Sequence, residues 1–188
     1  MDVSIVIGTY GSALWQAKAE QTRRDIAPEF DVPIIVSHGE TLAQARNAGA
    51  QWADTDHVMF LDADGDTLRR GYLEAMSASG GDLRYPALAQ TRGDGRSEVL
   101  IDVAHRDIER LNPCCIGTVW RTEVFESIGG FPEFRAWEDW AAALRAHRRG
   151  YQLTYVPDAV YVQRVHRRSR NQGIDDPQGL HAEIRAWA

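Results

Sequence analysis

The chain has 188 residues, 44% of them apolar and 26% charged, with a formal net charge of -6 at neutral pH. That composition suits one globular domain with a real core, and the net acidity disfavours a protein-wide field for nucleic acid or membrane surfaces. No apolar run approaches the roughly 20 residues that span a bilayer, and the start lacks the basic then apolar pattern of a secretory signal, so a soluble, cytoplasmic protein is expected.

Strand and helix signals alternate from the start. Val3 to Ile7 reads as a short buried strand, Gly8-Thr9-Tyr10-Gly11 as a tight turn, and Ser12 to Ile26 as a helix with Ser12 at its cap. The turn is neither a G-x-G-x-x-G nor a P-loop, which disfavours dinucleotide dehydrogenases and P-loop NTPases. Pro33 to Val36 is the second strand. Thr41 and Gln44 then have capping-box spacing, ahead of Leu42, Ala45, Gly49 and Trp52 on one helical face. Such βα alternation predicts a mostly parallel sheet, with ligands bound beyond the carboxyl ends of its strands.

The third strand ends in His57-Val58-Met59-Phe60-Leu61-Asp62-Ala63-Asp64, an apolar run that stops at two carboxylates one residue apart. In extended chain, residues i and i+2 point the same way, so Asp62 and Asp64 can face one hard cation, Mg²⁺ or Mn²⁺. Asp66 reads as the cap of a helix over Thr67 to Ala78, where Leu68, Tyr72, Leu73 and Met76 recur at helical spacing.

From Asp82 to Asp102 the pattern is irregular, with strands Arg84 to Gln90 and Glu98 to Val103 around the polar turn Arg92-Gly93-Asp94-Gly95-Arg96; this region is expected to move or to face substrate. Adjacent Cys114 and Cys115 lack zinc spacing and read as small buried residues near a site. Thr122 to Ile128 is a short helix ended by Gly129-Gly130, and Glu138 to Arg149 a longer one ended by Gly150. Glu138 and Asp139 open that helix, where acids favour the dipole; flanking Trp137 and Trp140 point to a partly apolar pocket that raises a carboxyl pKa towards the range of a general base.

Tyr151 to Val156 and Ala159 to Val162 are strands around Pro157, and residues from Pro177 onward form a closing amphipathic helix. Between them, Arg164-Val165-His166-Arg167-Arg168-Ser169-Arg170 carries four arginines and a histidine in seven residues. A solvated basic loop is one reading. The other is a diphosphate clamp that includes Arg164 and Arg168, with His166 as a phosphate donor or a third metal ligand.

Taken in order, Val3-Ser4-Ile5-Val6-Ile7-Gly8-Thr9-Tyr10, Ala45-Arg46-Asn47-Ala48-Gly49, Leu61-Asp62-Ala63-Asp64, Ile128-Gly129-Gly130-Phe131, Trp137-Glu138-Asp139-Trp140, Arg149-Gly150-Tyr151 and Val156-Pro157-Asp158-Ala159 resemble the family 2 glycosyltransferases of GT-A fold. The resemblance covers most of the chain. It implies a single α/β GT-A domain, with residues 1–80 as nucleotide-binding half, 81–174 as acceptor and catalytic half and 175–188 as a C-terminal helix. The implied activity is inverting, metal-dependent transfer of a sugar from a nucleotide-diphosphate-sugar to a hydroxyl acceptor.

Carried over by position, Thr9 lies near the nucleobase with Tyr10 beside it, Arg46 near the donor phosphates, Asp62 near the ribose or metal shell, and Asp64 on Mn²⁺ or Mg²⁺. Asp139 matches the base, with Glu138 beside it, and His166 a position near metal and diphosphate in some members. The family often has a D-D-G-S-like run after the second strand. This chain has Ser37-His38-Gly39-Glu40, which leaves the donor base open; Glu40 is expected among the donor contacts. Gly65 stands where a third acid often follows the D-x-D. The alternatives are a non-catalytic nucleotide-sugar or carbohydrate-binding protein of the same fold, or a sugar-phosphate nucleotidyltransferase. The resemblance does not name the acceptor, and the arginine-rich run keeps a nucleic acid open as one.

Overall fold

The computed structural model describes residues 1–63, 65–92, 97–165 and 173–188, with backbone alone at Arg92. Strand β1 (Val3–Tyr10) is buried from Val3 to Thr9 and lies between β2 (Ile34–Gly39) and β3 (His57–Phe60), both parallel to it. Buried on both faces, β1 is almost continuously apolar, as central parallel strands are. Helix α1 (Ala13–Ile26) follows β1, and α2 (Leu42–Gln51) follows β2. Ser12 occupies the N-cap position of α1 without a side-chain cap bond, whereas Thr41 accepts the Gln44 N–H as its spacing predicts.

The acidic turn departs from expectation. Thr67–Leu68 form a short strand, β4, and helix α3 (Tyr72–Ala78) begins only after Gly71. Asp66 is therefore no helix cap. It is buried at the start of β4, where Tyr161 and the Arg164 amide donate to it, so long-range partners override the local cap pattern.

Strand β5 (Leu83–Arg92) pairs antiparallel with β6 (Ser97–Ile101), and residues 93–96 of the turn between them lie outside the described set. Strand β7 (Val119–Arg121), absent from the sequence reading, is inserted antiparallel between β3 and β5. Helices α4 (Thr122–Ser127) and α5 (Glu138–Arg148) follow. The two strands expected around Pro157 are one, β8 (Leu153–Val165): its register against β5 passes from Val156 opposite Pro86 to Val160 opposite Ala87, so a bulge absorbs Pro157 to Ala159. Helix α6 (Pro177–Trp187) closes the chain behind Asp176, which accepts the Gly179 N–H.

The resulting sheet, in the order β2-β1-β3-β7-β5-β8-β4 with β6 on β5, is mixed rather than purely parallel. Its core includes an aromatic knot: Phe131 meets Phe60 at 4.7 Å and Phe125 at 4.9 Å between ring centroids, and Trp120 stands edge-on to Phe125. Helix α5 is buried along Trp140 to Leu144, and the Trp140 indole N–H donates to the Ile108 carbonyl at 2.8 Å, which anchors its first turn. No helix among the described residues is long and apolar enough to cross a membrane.

Candidate active site

Because β1, β2 and β3 are parallel, their carboxyl ends share one edge, and Tyr10, Glu40 and Asp62 all emerge there. Thr9 is buried; its hydroxyl donates to the Ser37 carbonyl at 3.1 Å and lies 3.1 Å from His38 Nδ1. Tyr10 and Glu40 are exposed beyond it.

Arg46 organises the middle of the site. It is buried in α2; Nη1 donates to Glu138 Oε1 at 2.6 Å, Nη2 donates to Asp62 Oδ1, and the guanidinium carbon lies 5.6 Å from the Phe131 ring centroid. Its Nε has no acceptor among the described residues. Burial alone would lower the guanidinium pKa, but Asp62, Glu138 and Asp139 outweigh it and the net shift is upward. The close passage of Arg46 requires Gly8: a Cβ on Gly8 would lie 2.7 Å from Arg46 Cγ.

The neighbouring Asn47 joins the two halves of the chain. Its Nδ2 donates to the Phe131 carbonyl and its Oδ1 accepts the Phe131 N–H, both at 2.9 Å. Gly130, at φ +72°, leaves room for it, since a Cβ there would lie 2.5 Å from Asn47 Oδ1. The Arg46-Asn47 pair thus draws the Gly129-Gly130-Phe131 turn and the start of α5 onto the acidic end of β3.

Trp137 precedes α5 in the left-handed conformation, φ 58°, which costs a bulky residue on the order of 1–3 kcal/mol and marks a site held by its surroundings. His181 of α6 supplies part of that hold, with its ring 4.5 Å from Trp137 and 4.9 Å from Trp140. This turn brings Glu138 and Asp139 to the site together. Asp139 Oδ1 accepts the Trp140 N–H at 2.8 Å. Desolvation, and next the charge of Glu138, push the Asp139 carboxyl up to about 7, against the opposing pull of the Trp140 N–H and Arg46. Cys114 and Cys115 are free thiols pushed up chiefly by burial, and both feel the charge of Asp139, so they sit beside the site as neutral groups.

Asp62, Arg46, Glu138 and Asp139 are therefore assembled in one place, with Thr9, Tyr10 and Glu40 along the same sheet edge. Arg164 is exposed at the end of β8, its amide on Asp66. Asp64, His166 and Arg168 lie outside the described residues. The sequence reading gave no role to Asn47, although it lies in the quoted Ala45-to-Gly49 segment, and none to Tyr161.

No protein-family model matches the chain, and no curated protein matches it. Solved structures do. TarS residues 1–349 from S. aureus superpose with a TM-score of 0.61 at 15% identity, over 100% of this chain and 70% of that one. The mannosyltransferase PcManGT from Pyrobaculum calidifontis, in complex with GDP-Man and Mn²⁺, gives 0.56 at 19% identity, over 89% of this chain and 58% of that one. The fold is of the GT-A kind. The chain spans little more than half the length of the mannosyltransferase chain.

Asp62 is the described carboxylate at the end of β3, an oxygen donor of the type hard divalent cations take, and its Oδ1 accepts from Arg46 Nη2. Among the described residues, no three His, Cys, Asp or Glu side chains converge as a ligand set.

Proposed function

We propose that this protein is a metal-dependent, inverting glycosyltransferase that moves a sugar from a nucleotide-diphosphate-sugar to a hydroxyl acceptor. The observation that carries the reading is Asp139: a carboxyl pushed up to about 7, at the head of α5, one residue from a glutamate pinned through Arg46 to Asp62. A general base works best with a pKa near the operating pH. The Mn²⁺ and GDP-Man bound to the mannosyltransferase lend support by analogy of fold.

In this reading residues 1–80 bind the nucleotide and 81–174 carry the base and the acceptor. Thr9, Tyr10 and Glu40 border the nucleobase and ribose, and Arg164 and Arg168 hold the diphosphate. Asp139 takes the acceptor hydroxyl proton. The acceptor oxygen forms a bond to the anomeric carbon as the bond from that carbon to the diphosphate oxygen breaks, and the electron pair leaves with the nucleoside diphosphate. A divalent cation held by Asp64, Asp62 and His166 would supply charge stabilisation for that leaving group. Arg46 bridges Asp62 and Glu138 and sets its positive charge near the donor phosphates.

The test is binding and slow hydrolysis of UDP-, GDP- and TDP-sugars with Mn²⁺, Mg²⁺ or EDTA. Metal-dependent binding of one donor with slow sugar release supports the transferase. Binding without release, with any acceptor supplied, favours a non-catalytic binding protein, and no binding at all rejects both.

A further inference from the structure

Asp66 has the sequence position of a helix cap and a different use. It is buried, with Oδ2 accepting the Tyr161 hydroxyl at 2.7 Å and Oδ1 accepting the Arg164 backbone N–H at 2.7 Å. Tyr161 is itself fully buried in β8, and the β4–β8 pairing sets Leu68 opposite Tyr161 and Thr67 opposite Val162. The carboxylate therefore fastens the turn that carries Asp62 to the end of β8, across 95 and 98 residues of chain. The Arg164 side chain folds back over the same turn: a Cβ built on Gly65 would lie 3.4 Å from Arg164 Cδ and 3.5 Å from Nη1. An acid at position 65 would meet that guanidinium, whereas glycine leaves its place to the arginine stem.

We infer that Asp66 is a positioning residue that fixes Arg164 against the acidic turn, where its guanidinium meets the second phosphate of a nucleoside diphosphate. This rests on the donor reading proposed above. Its Oδ1 accepts the Arg164 N–H, which an amide oxygen can do as well, and the amide NH2 can donate to the Tyr161 oxygen in place of accepting from it, so Asn should serve nearly as well; a carboxylate acting directly on a ligand would not be replaceable in that way.

The experiment is calorimetric binding of UDP, GDP and TDP and of the matching monophosphates, with Mn²⁺ present. Asp66→Ala should reduce the preference for diphosphate over monophosphate about tenfold while leaving monophosphate affinity in place. Asp66→Asn should restore most of that preference, and Asp66→Ala should add no further loss in an Arg164→Ala background. If Asp66→Ala does not fold, Tyr161→Phe removes the hydroxyl restraint on Asp66 and should lower the preference by about threefold. An Asn variant as defective as Ala, equal losses for mono- and diphosphates, additive effects of Asp66 and Arg164, or an unaltered Tyr161→Phe protein would each overturn the assignment. No binding of any nucleotide by the unaltered protein would instead reject the transferase reading, and this role with it.

Discussion

Arg46 Nη1 donates to Glu138 Oε1 at 2.6 Å, joining residues 92 positions apart in a buried pair beside the proposed base. Breaking such a pair by removing one partner leaves an uncompensated buried charge, at a cost of about 3–5 kcal/mol. Arg46→Met should therefore be destabilised in urea unfolding, because buried Glu138 and partly exposed Asp62 both lose the Arg46 guanidinium. A loss below about 1 kcal/mol would mean that the carboxylates find other partners.

The same charges steer Asp139 in opposite directions: Glu138 raises its pKa and Arg46 lowers it. Glu138→Gln should shift the rising limb of the pH–rate profile to lower pH than in the unaltered protein, because the charge that raises the Asp139 carboxyl is gone. Arg46→Met, where it folds, should shift it higher. Profiles measured under donor saturation check this, and equal shifts in one direction would remove the electrostatic explanation.

Asp139→Asn should abolish transfer while nearly preserving donor affinity, since the amide matches the carboxyl in size and cannot take the acceptor proton. Stability supplies an independent reading. The folded-state pKa of Asp139 is raised from 3.8 to about 7, so ionisation disfavours the folded state. Stability is fully present below about pH 4 and lost as pH rises through about 7. The melting temperature of Asp139→Asn should thus gain on that of the unaltered protein between pH 5 and pH 8. A constant difference would place the Asp139 carboxyl near its ordinary value.

Local signals carried the first half of the fold well. The Thr41–Gln44 cap, the buried β1 and the β3 strand that leads to Asp62 are all set by residues close in sequence, and each lies where its pattern placed it. What escaped depends on distant partners. Asp66 looks like a cap because helical spacing follows it, and its bonds with Tyr161 and Arg164 reveal otherwise. Strand β7 has three residues and exists through its pairing with β3 and β5, and Pro157 broke a strand that a bulge keeps whole. The pairing of Arg46 with both Glu138 and Asp62 likewise joins residues 92 and 16 positions apart, beyond the reach of local spacing.

Asn47 reads the backbone of Phe131 at both its N–H and its carbonyl. Asn47→Ala strips both partners from partly buried backbone groups and should cost about 1–3 kcal/mol. Asn47→Asp keeps the acceptor for the N–H but sets a carboxylate oxygen against the Phe131 carbonyl, so it should not recover the loss. Thermal unfolding of the two variants separates a specific two-way clamp from simple filling of space.

Gly8→Ala tests the geometry beneath the whole site. The added methyl would lie 2.7 Å from Arg46 Cγ and 3.1 Å from the Arg46 backbone nitrogen, so α2 must shift or the side chain must leave its path along β1. Overpacking of this kind costs about 1–3 kcal/mol. If Arg46 is displaced, Asp139 also loses the cation that holds its pKa down, and the pH–rate profile should move upward as it does for Arg46→Met. A variant that is destabilised with an unchanged profile would show that α2 moves as a unit and carries Arg46, still paired, along with it.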